Sequence, residues 1–280
     1  MRYLLCGVAT IALSGCSWLG IGQNHHGQYK HANSDHAYTK ANDGCCVGGK
    51  TLSRWNVEAG VGPEFNVGGD VITGDQTHPG FTNTNINNLS YNDAYDTGMR
   101  YELGGSYALN PNRKLTGQVY YSNANGKDVV LGSRSGDVIR GALTDYESYG
   151  LEMGLRQYAQ PTKVPLLKSV RPYVEGKVGA AHVDDIGLTN VRRVGSAIPA
   201  GNIGFYEGGW VPTAAGMIGV ETPVLNRFTM GVETGVRYTG KLKSDTSGMG
   251  GPGGFDYLGG SNNGGGRWTV PLTLRGRYRF

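Results

Sequence analysis

The final seven residues, Leu274-Arg275-Gly276-Arg277-Tyr278-Arg279-Phe280, alternate strictly. Side chains in a β-strand point to opposite faces in turn. Leu274, Tyr278 and Phe280 therefore share an apolar face, and Arg275, Arg277 and Arg279 a cationic one. A closed barrel in a lipid bilayer accommodates such a strand, with lipid on the apolar face and a polar lumen holding the charges.

The same period of two recurs in eight segments, at about 54–65, 97–109, 114–121, 146–158, 171–183, 210–221, 228–238 and 267–280. The fourth sets Tyr149, Leu151, Met153 and Leu155 against Gly150, Glu152, Gly154 and Arg156. The seventh sets Phe228, Met230, Val232, Val236 and Tyr238 against Gly231, Glu233, Gly235 and Arg237. The connections after odd-numbered segments are long, about 66–96, 122–145, 184–209 and 239–266. Those after even-numbered segments are shorter, 110–113, about 159–170 and 222–227. Transmembrane barrels have long external loops and short periplasmic turns. A first strand that starts in the periplasm makes the odd connections external, in agreement with their lengths. The expected fold class is all-β: an eight-stranded antiparallel transmembrane β-barrel with long external loops. A soluble sandwich or lipocalin-like barrel would turn its apolar face inward instead.

Composition fits. Gly (48) and Tyr (17) are abundant and the mean hydropathy is −0.35. After the first residues no apolar run is long enough for a membrane-spanning helix, which a barrel does not need. The net charge of +4 gives no reason to expect a nucleic-acid partner.

The N-terminus reads as an export signal: Arg2, an apolar run from Tyr3 to Leu13, then small residues before Cys16. Leu13-Ser14-Gly15-Cys16 resembles the bacterial lipobox, which implies removal of 1–15 and acylation of Cys16. Ser17, in place of Asp, implies sorting to the outer membrane. Residues 16–50, rich in Gly, Asn, Ser and His without periodicity, read as a lipidated flexible periplasmic tether, and 51–280 as the barrel.

The faces turned from lipid carry Glu58, Glu102, Glu152, Glu175, Glu221 and Glu233 with Arg100, Arg156, Lys177, Arg237, Arg275 and Arg277. Eight strands enclose a space that side chains can fill, so these residues are expected as an ion-paired luminal network. A narrow ion path between them is the alternative. Trp55, Trp210, Trp268, Tyr101, Tyr149, Tyr238 and Phe280 are expected at the membrane boundaries. Glycines on the inward faces leave room for the large charged side chains.

Other constellations are weaker. His25, His26, His31 and His36 with Cys45 and Cys46 match no closed metal site, and no metal or cofactor is expected. The adjacent cysteines leave open a strained vicinal disulfide, a bridge to another chain, or modification. His182 with Asp184 and Asp185 could orient a catalytic base at the outer rim, but no serine motif accompanies it. Asp70, Asp75, Asp93 and Asp96 lack calcium-loop spacing. The glycines of 248–254 and 264–266 lack the Lys-Ser/Thr of a phosphate loop and read as a mobile external loop.

The segment Arg171-Pro172-Tyr173-Val174-Glu175-Gly176 and the ending Tyr278-Arg279-Phe280 resemble small bacterial outer-membrane barrels of the outer-membrane protein A and opacity-protein type. The resemblance covers about 54–280. It implies that Tyr278 and Phe280 form the signal read by the barrel-assembly machinery, and that the surroundings are outer-membrane lipid and lipopolysaccharide. In contrast to outer-membrane protein A, no peptidoglycan-binding domain is expected here, and a lipobox and tether are expected in addition. The expected function is that of a non-enzymatic barrel lipoprotein of the Gram-negative cell envelope, serving envelope integrity or surface interaction, with a cell-wall or surface partner open. A narrow porin-like channel and a lipid-modifying enzyme are the alternatives.

Overall fold

The computed structural model describes residues 54–74, 83–159, 170–196, 200–247, 249 and 255–280. The signal peptide, the lipobox, the tether with its His and Cys residues, and Asp75 lie outside the described residues. Eight long antiparallel strands close into a barrel: β1 (Trp55–Gly68), β5 (Gly98–Asn110), β6 (Arg113–Ala124), β9 (Tyr146–Tyr158), β10 (Arg171–Val183), β13 (Gly209–Leu225), β14 (Phe228–Thr239) and β16 (Arg267–Arg279). Their order around the wall is β1-β16-β14-β13-β10-β9-β6-β5. These are the eight alternating segments of the sequence, in the same register of faces.

The outside of the wall is apolar. Val57, Val61, Leu103, Leu151, Val178 and Leu272 are all at least 40% exposed, a surface that only lipid can cover without cost. Aromatic rings edge it at both ends. Tyr149 and Trp210 form one edge near the long connections, with Tyr238 against Trp268 at 4.9 Å. Trp55 against Tyr107 at 4.9 Å and Tyr278 against Phe280 at 5.5 Å form the other. The ten-residue step from Trp268 to Tyr278 is about 33 Å of strand, or about 25 Å of height at a tilt near 40°. That matches the apolar band of an outer-membrane barrel.

The seam between β1 and β16 is tight. A Cβ on Gly62 would lie 1.9 Å from the Leu272 carbonyl oxygen, so only glycine lets the two backbones meet there.

The long connections, expected as external loops, carry secondary structure of their own. They hold β2 (Asp70–Ile72), β3 (Thr84–Ile86), β4 (Leu89–Ser90), α1 (Tyr91–Ala94), β7 (Asp128–Arg134), β8 (Asp137–Leu143), β11 (Ile186–Arg193), β12 (Gly201–Glu207) and β15 (Lys243–Ser244). Six of these strands form a second sheet, ordered β15-β12-β11-β8-β7-β3. Arg134 pairs with Asp137 across a two-residue turn. Its central residues Ser135 and Gly136 both have positive φ, 51° and 92°, the twist that suits a tight hairpin. Leu131, Ile139, Leu188, Phe205 and Leu258 are fully buried beneath this sheet. They form one continuous apolar core with Tyr120, Tyr146, Ala181 and Val211 at the top of the barrel. The glycines at 264–266, expected in a mobile loop, are tied down. Gly264 N–H donates to the Tyr206 hydroxyl at 3.0 Å and Gly265 N–H to the Asp70 carbonyl at 3.1 Å.

Candidate functional site

The barrel interior is the most chemically loaded region. Strand alternation turns charged side chains inward from every wall strand. Seven carboxylates and eight cationic side chains are buried there, so the interior is close to neutral. The twelve residues singled out from the sequence are all buried. Glu64, Lys114 and Arg267 join them. They share the inward parity of their strands, and that parity was the signal that could have found them.

In the middle of the lumen, Arg156 donates to Glu58 and also, from Nε, to Glu175 Oε2 at 2.9 Å. Arg275 Nη2 donates to Glu102 at 2.5 Å and Glu233 at 2.9 Å. Lys177 Nζ and the Tyr173 hydroxyl also donate to Glu233, each at 2.9 Å. Ser106 and Thr116 hydroxyls donate to Glu58 and Glu175, both at 2.6 Å. Toward the long connections, Arg100 Nε donates to Glu102 at 2.7 Å, its guanidinium 3.5 Å from the Tyr120 ring centroid. Arg237 is bonded directly to Glu152. At the opposite end, both terminal nitrogens of Arg277 donate to Glu221 at 2.7 Å.

Lys114 stands apart. Its Nζ is buried without a hydrogen-bond partner, 5.1 Å from the Tyr158 ring centroid. A cavity near this end, lined by Arg156, Tyr173, Glu221 and Arg277 among others, measures about 10 Å³, room for about one water.

The other mouth is closed by the first long connection, which folds down onto it. Ser90 and Asp93 cap α1 reciprocally: Ser90 Oγ accepts from Asp93 N–H at 3.3 Å, and Asp93 Oδ2 from Ser90 N–H at 3.4 Å. The helix places Tyr91 and Tyr95 against Tyr146, with ring centroids 6.3 and 6.0 Å apart. The Arg267 guanidinium lies 4.1 Å from the Tyr146 ring, and its Nε donates to Asn66 at 2.7 Å. The lumen is thus filled along its length and lidded by aromatic rings.

Above the lid, Tyr206 joins the second sheet to β2. Its hydroxyl donates to the Val71 carbonyl at 2.7 Å, and burial pushes the phenol up to about 12. On the outer face of the sheet, Arg140 and Arg192 are cross-strand neighbours. Asp128 accepts from both, at 3.0 and 3.1 Å. Partial burial opposes ionisation of Asp128, but these hydrogen bonds outweigh it and hold the carboxyl below its ordinary range.

The remaining candidates do not assemble a site. His182 Nδ1 is 3.5 Å from Asp184 Oδ1, and its ring stacks on Tyr149 at 5.1 Å and meets Trp210 edge-on. That is the setting of an interface aromatic. Asp185 accepts instead from Gly208 N–H at 2.6 Å. Asp93 is spent on the α1 cap, and Asp96 lies 3.7 Å from Lys127.

No family model and no curated protein matches this sequence. Among solved structures, the chain is similar to neisserial surface protein A (12% identity, TM-score 0.43, covering 82% of this chain and 100% of that one). It is also similar to Ail, the attachment invasion locus protein of Yersinia pestis (13%, 0.38, 81% and 100%). A third is the outer membrane protease OmpT of Escherichia coli (10%, 0.39, 82% and 99%).

Proposed function

We propose that this chain is a non-enzymatic outer-membrane barrel lipoprotein whose work is done by its external sheet, in surface contact or in support of the envelope. The observation that carries this reading is the closed interior under a folded cap. Ion pairs cross the lumen, aromatic rings lid it, and the second sheet shares one core with the barrel rim. A conduit would require breaking buried charge pairs, each break costing about 3–5 kcal/mol.

In this reading Cys16 is acylated and fixes the tether to the inner leaflet, Tyr278 and Phe280 guide assembly, and lipopolysaccharide surrounds the outer half of the wall. The short turns are periplasmic and the second sheet faces outward.

The test is complementation of a deletion strain. Replacing the β7–β8 and β11–β12 hairpins by short turns should leave a heat-modifiable barrel but fail to restore envelope integrity or surface adhesion. Full restoration by the trimmed barrel would overturn the reading. So would a lipid or peptide hydrolysis by the purified protein that His182→Ala abolishes.

A further inference from the structure

Five arginines circle the short-turn end of the barrel. Arg54 precedes β1, Arg113 opens β6, Arg171 opens β10, Arg227 lies in the β13–β14 turn, and Arg279 closes β16. Given the strand order around the wall, they are distributed about the whole rim. Arg54, Arg113 and Arg227 are exposed, and Arg171 and Arg279 half-buried.

The hydrogen-bond partners of Arg113 and Arg171 are neutral. Arg113 Nε donates to Gln157 Oε1 at 2.7 Å, and Arg171 Nη2 donates to the Pro111 carbonyl at 2.9 Å. The Arg171 guanidinium also lies 4.5 Å from the Tyr158 ring centroid. The acidic side chain that faces Arg171 in the strand register, Glu221, is buried and held at both oxygens by Arg277. No exposed carboxylate side chain shares this rim among the described residues. The other end of the molecule mixes both signs, with Asp128 paired to Arg140 and Arg192, Asp137 to Arg193 and Glu207 to Lys243, whereas no such acid among the described residues answers the arginines of this rim.

A ring of like charges is self-repelling unless anions gather at it. The level of this ring is marked by exposed Trp55, Tyr278 and Phe280, the aromatics that sit at headgroup depth. Guanidinium forks match phosphate oxygens in pairs. We propose that this ring forms a collar that binds anionic phospholipid headgroups of the inner leaflet. Exposed Arg54, Arg113 and Arg227 make the contacts, and Arg171 and Arg279, on the inward parity of their strands, add to the positive field. The collar would set the depth of the barrel and distinguish its two leaflets. The assignment of leaflet rests on the periplasmic placement of the short turns.

The test offers the folded full-length protein equal amounts of phosphatidylglycerol and phosphatidylethanolamine and reads the bound-lipid ratio by native mass spectrometry. The collar predicts an excess of phosphatidylglycerol that falls about fivefold per arginine removed in Arg113→Gln and Arg227→Gln. Both lie at exposed turns, and a heat-dependent gel shift confirms that each variant folds. An equal ratio in the unaltered protein, or an excess that both variants keep, overturns the proposal. Loss of the excess on adding inorganic phosphate also overturns it, because a free anion would then be the ligand. Placement is judged separately. Labelling of Arg227→Cys by an impermeant maleimide on intact cells, in a Cys45→Ser, Cys46→Ser background, would refute the periplasmic assignment while leaving the lipid preference to the ratio.

Discussion

Arg156 on β9 reaches across the lumen and grips Glu58 on β1 with both terminal nitrogens, Nη1 to Oε1 at 3.1 Å and Nη2 to Oε2 at 3.0 Å. β5 and β6 separate the two strands along the wall, so the pair is a strut across the barrel rather than a neighbour contact. Both side chains are buried. Glu58→Gln should therefore destabilise the barrel by up to about 3 kcal/mol, because the lumen gains a net positive charge while Arg156 keeps only Glu175 as its anionic partner. Urea unfolding of the refolded barrel measures it. Glu58→Gln combined with Arg156→Gln should cost less than the two single changes summed, as expected for groups in direct contact.

The closing seam gives a second prediction. Gly62→Ala places a methyl group against the Leu272 backbone carbonyl, and strand backbone cannot retreat without breaking the β1–β16 ladder. The yield of heat-modifiable barrel should drop severely, while Gly117→Ala, where a Cβ meets nothing within 4 Å, should fold normally.

The eight wall strands were legible because each is long and faces two contrasting solvents, lipid outside and buried charge inside. Tyr146–Tyr158 and Arg171–Val183 even match at both ends. The second sheet was not legible. β3 and β15 span three and two residues, too short to display a period. β11 is bulged between Leu188 and Val191, which breaks the alternation that a sequence pattern needs. Within the candidate site, Glu64 was missed because Pro63 interrupts the alternating run just before it. Lys114 and Arg267 stand at strand ends, where a face is hardest to assign. The lid was invisible for a different reason: Tyr91 and Tyr95 meet Tyr146 only through tertiary folding.

Acid should loosen the external sheet before the barrel. Asp128 has its carboxyl held below the ordinary value by Arg192 and Arg140 despite partial burial. Such a group stabilises the fold above its unfolded pKa, and the contribution is lost as pH falls through the lower, folded one. The protection of β8 and β11 amides, taken relative to the intrinsic exchange rate at each pH, should therefore fall as pH drops below about 4. Asp128→Asn should already show lower protection at neutral pH, and that protection should be largely insensitive to the drop. Acid-insensitive protection in the unaltered protein would show that the pair does no work there.

The lipid anchor and the barrel should be separable. Cys16→Ala should abolish incorporation of labelled palmitate and leave the precursor uncut at that site, yet the protein should stay in the outer-membrane fraction. The apolar belt of the wall holds it there without an acyl chain. Palmitate retained in Cys16→Ala would remove the lipobox reading.

The central claim is a lumen closed by its own charges and lid. Single-channel recording of the refolded barrel in a planar bilayer, with folding established by the heat-dependent gel shift, tests it most directly. The account predicts a silent bilayer for the unaltered protein. Stable, reproducible openings whose ion selectivity changes in Glu102→Ala or Arg275→Ala would contradict it and make the luminal charges a filter.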